Sequence, residues 1–120
     1  MLIRKVLLVE DSVPMQIMIR DTFWHLCGRD VVVLVADTPV EAELIFNGHN
    51  SDLDLILLDS RLKRGTTTFE LAKKISPVFD RPIIAISTDE DYRRQMLKYG
   101  CTDECAKYDL LAYLREIIGN

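Results

Sequence analysis

Four apolar segments of the sequence each end on side chains that can bind a metal ion or a phosphoryl group. Glu10 and Asp11 follow the first segment, Asp59 the second, Ser87 the third and Lys107 the fourth. Parallel strands of one sheet share an edge at their carboxyl ends, and open α/β sheets bind their ligands at that edge. We therefore predict that these five side chains form one site.

Three carboxylates at such a site would repel one another. Two unit charges about 4 Å apart interact by about 4 kcal/mol at an effective dielectric constant of about 20, so Glu10, Asp11 and Asp59 need a positive partner. Oxygen ligands without His or Cys favour a hard ion, and Mg²⁺ fits best because it accepts carboxylates and retains water molecules. With Lys107 as a second cation, the formal charges sum to zero.

A site of this composition can transfer a phosphoryl group. The metal ion, the Lys107 ammonium and the Ser87 hydroxyl can share the equatorial oxygens while one carboxylate attacks in line, since positioning and electrostatics supply most of this catalysis. Asp59 is the candidate nucleophile because it stands alone at the end of the most apolar segment, whereas Glu10 and Asp11 are adjacent and suit chelation. The product would be an acyl phosphate.

The segments that would position these residues are short and rich in Val, Ile and Leu. Apolar runs that are continuous rather than alternating are typical of parallel strands with helices on both faces. The sequence predicts five strands, at 2–9, 30–36, 53–58, 82–86 and 102–106. The last prediction depends on its place in the alternation of strands and helices, because Thr102, Asp103 and Glu104 have poor strand propensity.

Segments long enough for crossover helices lie at 13–26, 39–47, 69–78, 89–99 and 110–118. Their ends carry typical helix signals, such as Ser12 ahead of Pro14 and Gly100 after the fourth helix. A strand, a helix and a parallel strand in succession form a right-handed unit. We therefore expect an α/β fold, a three-layer α/β/α sandwich around a five-stranded parallel sheet.

A single domain, 1–120, is expected from a chain of 120 residues with 48% hydrophobic residues and no Pro/Gly/Ser-rich linker. The sequence has no apolar stretch of membrane-spanning length, and Arg4 and Lys5 interrupt the first apolar run, which argues against a secretory leader. We therefore expect a cytoplasmic protein that does not bind membranes.

Charge and cysteine content argue against other classes of protein. A net charge of −4 disfavours direct nucleic-acid binding. The basic groups at 61–64 and 93–94 are short and bordered by acids, so we interpret them as solvated surface. The three cysteines, Cys27, Cys101 and Cys105, form no zinc pattern and are expected to be reduced, with Cys101 and Cys105 in packing roles.

Four stretches of the sequence together resemble the receiver domain of two-component response regulators. They are VLLVEDS at 6–12, DLILLDS at 54–60, PIIAIST at 82–88 and GCTDECAK at 100–107, in the family's order and near its spacing. The resemblance covers the whole chain. It implies a receiver domain over 1–120, with a flavodoxin-like (CheY-like) fold and the strand order 2-1-3-4-5.

The resemblance implies a role for each residue of the predicted site. Glu10 and Asp11 would help to bind Mg²⁺. Asp59 would also bind the metal ion and would accept a phosphoryl group from a sensor histidine kinase or a histidine phosphotransfer protein. Ser87 would turn towards that phosphoryl group, and Lys107 would pair with it.

The resemblance also implies an output surface. Phosphorylation would change the face formed by the fourth helix, the fifth strand and the fifth helix. The signal would then pass to a downstream protein, to another domain of a parent chain, or to a dimer formed through this face. Such a protein is not an enzyme with a separate substrate, because it assists only its own phosphorylation and dephosphorylation.

Arg61, two residues after Asp59, carries two further expectations. By the resemblance, its backbone carbonyl would be another metal ligand. Its side chain and Asp89, two residues after Ser87, would face each other over the phosphoryl group. They would form either a partial lid that slows attacking water or an exposed ion pair contributing less than about 1 kcal/mol.

Three features depart from the family's pattern. The loop SRLKRGTTTFE at 60–70 lacks the usual Pro, is one residue longer and has Thr68 where Gly is common, so we expect it to move more or differently. Glu104 stands where an aromatic switch residue is usual. Tyr108 replaces a Pro that often follows the lysine through a cis bond. Before other residues a cis bond costs about 3 kcal/mol, so we predict a trans bond before Tyr108. The ring of Tyr108 is also a candidate to replace the aromatic residue that is missing at position 104.

Two other classes of function are alternatives to a phosphoacceptor domain. A receiver-like interaction module that acts without phosphorylation would keep the fold, and the altered loop, Glu104 and Tyr108 are compatible with it. A phosphohydrolase with an aspartyl-phosphate intermediate, as in haloacid-dehalogenase-like enzymes, needs a second acid two residues after the nucleophile and room for a substrate cap. This chain has Arg61 at that position, so we disfavour a phosphohydrolase.

Overall fold

Five parallel strands form the centre of the protein in a computed structural model, which describes residues 1–119. The strands are β1 (Lys5–Val9), β2 (Val32–Ala36), β3 (Leu55–Asp59), β4 (Ile83–Ser87) and β5 (Asp103–Ala106). Their order, β2-β1-β3-β4-β5, and the parallel pairing of all neighbours confirm the predicted fold. β3 and β4 each extend one residue beyond the predicted segment and so include Asp59 and Ser87.

Five helices connect and cover the strands. They are α1 (Val13–Cys27), α2 (Pro39–His49), α3 (Phe69–Ile75), α4 (Glu90–Lys98) and α5 (Leu110–Ile118). Ser12, Thr38 and Asp89 cap α1, α2 and α4 by accepting hydrogen bonds from backbone N–H groups three residues further on. Four helices begin at the predicted residue, and α4 begins one residue later because Asp89 is its cap.

The sheet separates two apolar cores. Alternate residues of the strands face opposite sides, so Leu7 and Leu58 pack with α2, α3 and α4, whereas Leu8 and Leu57 pack with α1 and α5. Every residue of β3 and β4 is buried. The three-layer arrangement therefore fixes the central strands, whose carboxyl ends carry the predicted site.

β5 forms despite its polar sequence because it is an edge strand. It pairs with β4 alone, from Ile84 opposite Asp103 to Ser87 opposite Ala106. Thr102 anchors its start, since its hydroxyl accepts a hydrogen bond from the Ile83 N–H at 2.9 Å. An edge strand keeps one side in water and so tolerates polar residues that a central strand would exclude.

Two local expectations are also tested by the structure. All peptide bonds in the described part of the chain are trans, including the bond before Tyr108, as predicted. Among residues 1–119, none of the helices combines the length and the hydrophobicity that crossing a membrane requires.

Candidate functional site

Neighbouring strands bring the predicted site residues to one edge of the sheet. Glu10 follows β1, Asp59 ends β3, Ser87 ends β4, and Lys107 follows β5. A pocket of about 290 Å³ opens at this edge, and Asp59, Ser87 and Lys107 all line it, together with Arg61, Thr88 and Asp89. The sheet order therefore places residues from distant parts of the sequence within reach of one ligand.

Lys107 is the central cation of this edge. Its Nζ donates a hydrogen bond to Asp59 Oδ2 at 2.8 Å and lies 2.7 Å from Glu10 Oε1. Asp59 is 3% exposed and Glu10 is fully buried. One half-buried ammonium thus holds two carboxylates that are almost completely removed from water.

Backbone N–H groups orient the other carboxylate oxygens. Glu10 Oε2 accepts hydrogen bonds from the N–H groups of Asp11 and Ser12 at 2.9 and 3.2 Å. Asp11 Oδ2 accepts one from the Lys63 N–H at 2.6 Å. Asp59 Oδ1 accepts one from the N–H of Arg61 at 3.2 Å. Each carboxylate is therefore held in place by the loop that follows a strand.

The three carboxylates also suit a metal ion. One oxygen from each of Glu10, Asp11 and Asp59 lies within 4.8 Å of the others. Glu10 Oε1 is buried and accepts no hydrogen bond of good geometry from residues 1–119, so its interactions there are electrostatic. An all-oxygen set of carboxylates is the donor chemistry that Mg²⁺ prefers. The residues present therefore fit the predicted ion; the Arg61 carbonyl as a further ligand stays a prediction.

The charge balance shifts two pKa values. Burial, which is the largest cause, and the Glu10 carboxylate together raise the pKa of Asp59 to about 7, against the lowering effect of the hydrogen bond and charge of Lys107. Burial opposes the charge of Lys107, but the hydrogen bond to Asp59 and the negative charges of Asp59 and Glu10 together raise the pKa of Lys107. Without a metal ion the single ammonium does not compensate both carboxylates, so Asp59 takes up a proton near neutral pH.

Ser87 lies in the pocket but faces its own loop. Its hydroxyl accepts a hydrogen bond from the Asp89 N–H at 3.1 Å. The hydroxyl proton is not used in that bond, so Ser87 keeps a donor for an anion in the pocket. The structure thus places Ser87 beside Asp59 and Lys107, as the sequence predicts.

An ion pair between Arg61 and Asp89 does not form among the described residues, and their partial lid over a phosphoryl group stays a prediction. The Arg61 guanidinium lies over the ring of Tyr92, 5.7 Å from its centroid. Asp89 instead caps α4, because its Oδ1 accepts a hydrogen bond from the Tyr92 N–H at 3.2 Å. Both side chains line the pocket, and local capping and an aromatic contact take the place of the exposed ion pair.

Thr68 is a contact of the site that the sequence did not reveal. Its buried hydroxyl donates a hydrogen bond to the backbone carbonyl of Asp59 at 2.8 Å. The preceding loop closes on itself, since the Leu62 N–H donates to the Thr66 carbonyl at 2.6 Å and Arg64 adopts a positive φ of 62°. This loop is thus tied to the end of β3; the only signal in the sequence was Thr68 at a position where the resemblance leads one to expect Gly.

The interpretation of residues 93–94 as solvated surface is half correct. Arg94 is exposed and pairs with Glu90, one turn earlier in α4. Arg93 is buried, and its side chain donates hydrogen bonds to the Ser87 carbonyl and to Glu104. Adjacent residues of a helix point in different directions, so one arginine of the pair faces the sheet.

Tyr108 and the cysteines have no contact with the carboxylates. Tyr108 is 79% exposed, so its ring does not fill a buried switch position in this structure. Burial raises the pKa of Cys101 to about 12 and that of Cys105 to about 11, which keeps both thiols protonated. The two cysteines therefore pack in the core, as predicted.

Comparison with solved structures places the fold among receiver domains. Chemotaxis protein CheY4 of Vibrio cholerae is 22% identical, covers 96% of this chain and 98% of its own, and gives a TM-score of 0.74. The receiver domain of the histidine kinase CKI1 from Arabidopsis thaliana is 18% identical over 98% of this chain and 91% of its own, with a TM-score of 0.75. The signal receiver domain of a modulated diguanylate cyclase from Desulfovibrio desulfuricans is 24% identical, covers 98% of this chain and 94% of its own, and gives a TM-score of 0.73.

Sequence comparison alone finds no relative. No protein-family model matches the chain, and no curated protein matches its sequence. At identities below 25%, the likeness to solved structures establishes the fold and leaves the function to be argued from the site.

Asp59→Asn is expected to stabilise the protein in metal-free buffer at pH 8. The folded pKa of about 7 exceeds the ordinary value of 3.8, so stability is lost as pH rises from about 4 to 7, and an amide avoids that loss. We expect a gain of about 1–4 kcal/mol at pH 8 and little difference near pH 4. Urea denaturation with a chelator measures both, and an equal difference at the two pH values would contradict the assignment.

Thr68→Val is expected to destabilise the protein by about 1–3 kcal/mol, because the Asp59 carbonyl loses the hydroxyl donor while the side-chain shape is kept. Thr68→Ser is the matched control, since it retains the hydroxyl and loses only a methyl group. Urea denaturation of the two variants measures the difference. A loss for Thr68→Ser as large as for Thr68→Val would mean that packing, and not the hydrogen bond, is responsible.

Proposed function

We propose that this chain is a receiver domain of a two-component system that accepts a phosphoryl group on Asp59. The observation that carries the proposal is the contact of Lys107 Nζ with Asp59 Oδ2, beside Glu10 and Asp11, at one edge of a sheet. A buried carboxylate, a fixed cation and a carboxylate pair fitted to a metal ion are the parts that phosphoryl transfer needs. The shared fold with receiver domains supports the same conclusion.

The donor would be a phosphohistidine of a sensor histidine kinase or a histidine phosphotransfer protein. An Asp59 carboxylate oxygen forms a bond to phosphorus as the bond from phosphorus to the histidine nitrogen breaks, and that nitrogen leaves with the electron pair. Glu10, Asp11 and Asp59 would hold Mg²⁺, which would supply neutralisation of the charge on the transferred group. The chain acts on itself and has no separate substrate.

Lys107 and Ser87 would stabilise the transferred group. The Lys107 ammonium loses one partner when Asp59 becomes an acyl phosphate, and it can then bind a phosphoryl oxygen. The Ser87 hydroxyl can donate its proton to another oxygen. Ser87 ends β4, the strand next to β3, and the Lys107 ammonium already contacts Asp59, so neither side chain requires a long movement to reach the group on Asp59.

The signal would leave through the face of α4, β5 and α5. A partner protein, a further domain of a longer chain or a second copy of the chain would read this face. A module that acts without phosphorylation would keep the same surface, and the exposed ring of Tyr108 is compatible with it. A phosphohydrolase finds no support, because Arg61 supplies no carboxylate at the position where such an enzyme needs an acid.

Acetyl phosphate with Mg²⁺ is expected to add one phosphate-sized mass to the wild-type protein. The adduct should be stable in acid and labile in base, as an acyl phosphate is, and Asp59→Ala should not form it. Intact-mass spectrometry makes the measurement, with Asp21→Asn, an exposed aspartate of α1, as the control that still reacts. Absence of the adduct from the wild type would reject the phosphoacceptor in favour of the phosphorylation-independent module.

Lys107→Met is expected to separate metal binding from phosphoryl transfer. Without the ammonium, the carboxylates keep a larger negative charge, so Mg²⁺ binding should be retained or tightened, whereas loading from acetyl phosphate should fall by roughly 10²-fold. Titration calorimetry and intact mass measure the two effects. Lys98→Met removes the same charge from the exposed end of α4 and should change neither; a parallel loss of both in Lys107→Met would indicate misfolding.

A further inference from the structure

Arg93 is a buried cation outside the carboxylate cluster. It is 7% exposed, and its guanidinium makes two hydrogen bonds at once. Nη1 donates to the backbone carbonyl of Ser87 at 2.8 Å, and Nε donates to Glu104 Oε1 at 2.9 Å. One side chain of α4 is thereby joined to the end of β4 and to β5.

Both the hydroxyl and the carbonyl of Ser87 are held by hydrogen bonds. Its hydroxyl accepts from the Asp89 N–H, and its carbonyl accepts from Arg93. Both partners belong to α4 or its cap. A displacement of Ser87 along or across the sheet therefore either breaks these bonds or moves the first turns of α4 with it.

Glu104 is the group that keeps Arg93 in place. A buried charge is costly unless it is paired, and the partly buried carboxylate of Glu104 neutralises the guanidinium. Glu104 lies opposite Ala85 in the ladder of β4 and β5, two residues before the pair of Ser87 and Ala106. The planar fork of arginine can serve a carbonyl and a carboxylate together, which the single ammonium of lysine cannot do in the same geometry.

The pair also reaches the outer surface. An open cleft of about 390 Å³ lies along β5 and α5, and its lining includes Arg93, Glu104, Tyr108 and Tyr113. Arg93 Nη1 contacts the Ser87 carbonyl, and the ion pair of Arg93 with Glu104 lines this cleft. A change at the phosphoryl pocket can therefore alter a surface open to a partner through a single side chain.

We propose that Arg93, held by Glu104, is a positioning residue for Ser87 and couples Ser87 to α4 and β5. This inference rests on the proposed function, in which Ser87 donates its proton to the phosphoryl group on Asp59. When Ser87 is drawn towards that group, its carbonyl carries the guanidinium with it, and the contact between α4 and Glu104 rearranges. The ion pair of Arg93 with Glu104 then couples Ser87 to α4 and β5, in place of an aromatic ring at position 104.

Hydrogen–deuterium exchange tests the coupling in the wild type, in Arg93→Met, in Glu104→Gln and in the double variant Arg93→Met/Glu104→Leu. Each protein is compared with itself before and after reaction with acetyl phosphate and Mg²⁺, at equal loading set by intact mass. Because each variant is its own reference, a lower stability does not by itself change the difference. The double variant guards against misfolding, since replacing a buried ion pair by apolar residues is tolerated better than removing one partner.

We expect loading of the wild type to change exchange in peptides that cover α4 and β5. The change should fall at least about fivefold in all three variants, which is the lower range of a typical coupling between sites. Arg94→Met is the matched control, because it removes the same charge from the next residue of α4, where the partner is the exposed Glu90. It should respond as the wild type does.

The outcomes separate the inference from the function on which it rests. A full response in the double variant, an equal loss in Arg94→Met, or a loaded wild type without a response in α4 and β5 would each overturn the coupling and leave the phosphoacceptor intact. A wild type that forms no adduct would overturn both. Loss confined to the three variants of the pair would support the inference.

Discussion

The position of one ammonium group between two buried carboxylates is the constraint on which the rest of the structure depends. Lys107 follows β5, whereas Glu10 follows β1 and Asp59 ends β3. These three residues meet because β1 is next to β3 and only β4 lies between β3 and β5. One positive charge cannot neutralise two carboxylates, and burial then raises the pKa of Asp59 to about 7. The site is therefore built with a deficit of positive charge that a metal ion or a proton must fill.

The apolar strands make this deficit tolerable. All residues of β3 and β4 are buried, so the sheet edge is held by packing on both faces and not by the site itself. The loops that follow the strands are then shaped by the charges. Backbone N–H groups of Asp11, Ser12, Arg61 and Lys63 point at carboxylate oxygens, and such hydrogen bonds partly replace the water that the carboxylates lose. Stability is thus located in the strands and charge chemistry in the loops.

The sequence predicted the parts that depend on local pattern. Continuous runs of Val, Ile and Leu identified β1 to β4, whereas β5 was predicted only from its place in the alternation of strands and helices. The residues at the strand ends predicted a site at one edge of the sheet, and the structure brings them together there. The prediction for Arg93 was wrong because neighbouring arginines look alike in a sequence. The rotation of α4 directs Arg93 towards the sheet and Arg94 towards solvent. The ion pair of Arg61 with Asp89 is absent from the described residues because Asp89 caps α4 and Arg61 lies over the ring of Tyr92. The hydrogen bond from Thr68 depends on the path of a nine-residue connection, which no local pattern specifies.

Two of the unusual residues, Thr68 and Glu104, contact side chains of α4. Thr68 bonds to the Asp59 carbonyl and lies 3.6 Å from the sulfur of Met96, while Arg93, one turn earlier in the same helix, bonds to the Ser87 carbonyl. The helix therefore bonds directly to the end of β4, and it contacts Thr68, which bonds to the end of β3. Apolar contacts tolerate small sliding movements, but directional hydrogen bonds in a buried setting are either made or broken. Such bonds join α4 to the backbone of Ser87 and, through Thr68, to that of Asp59. A displacement of either residue therefore acts on α4 through bonds that are made or broken.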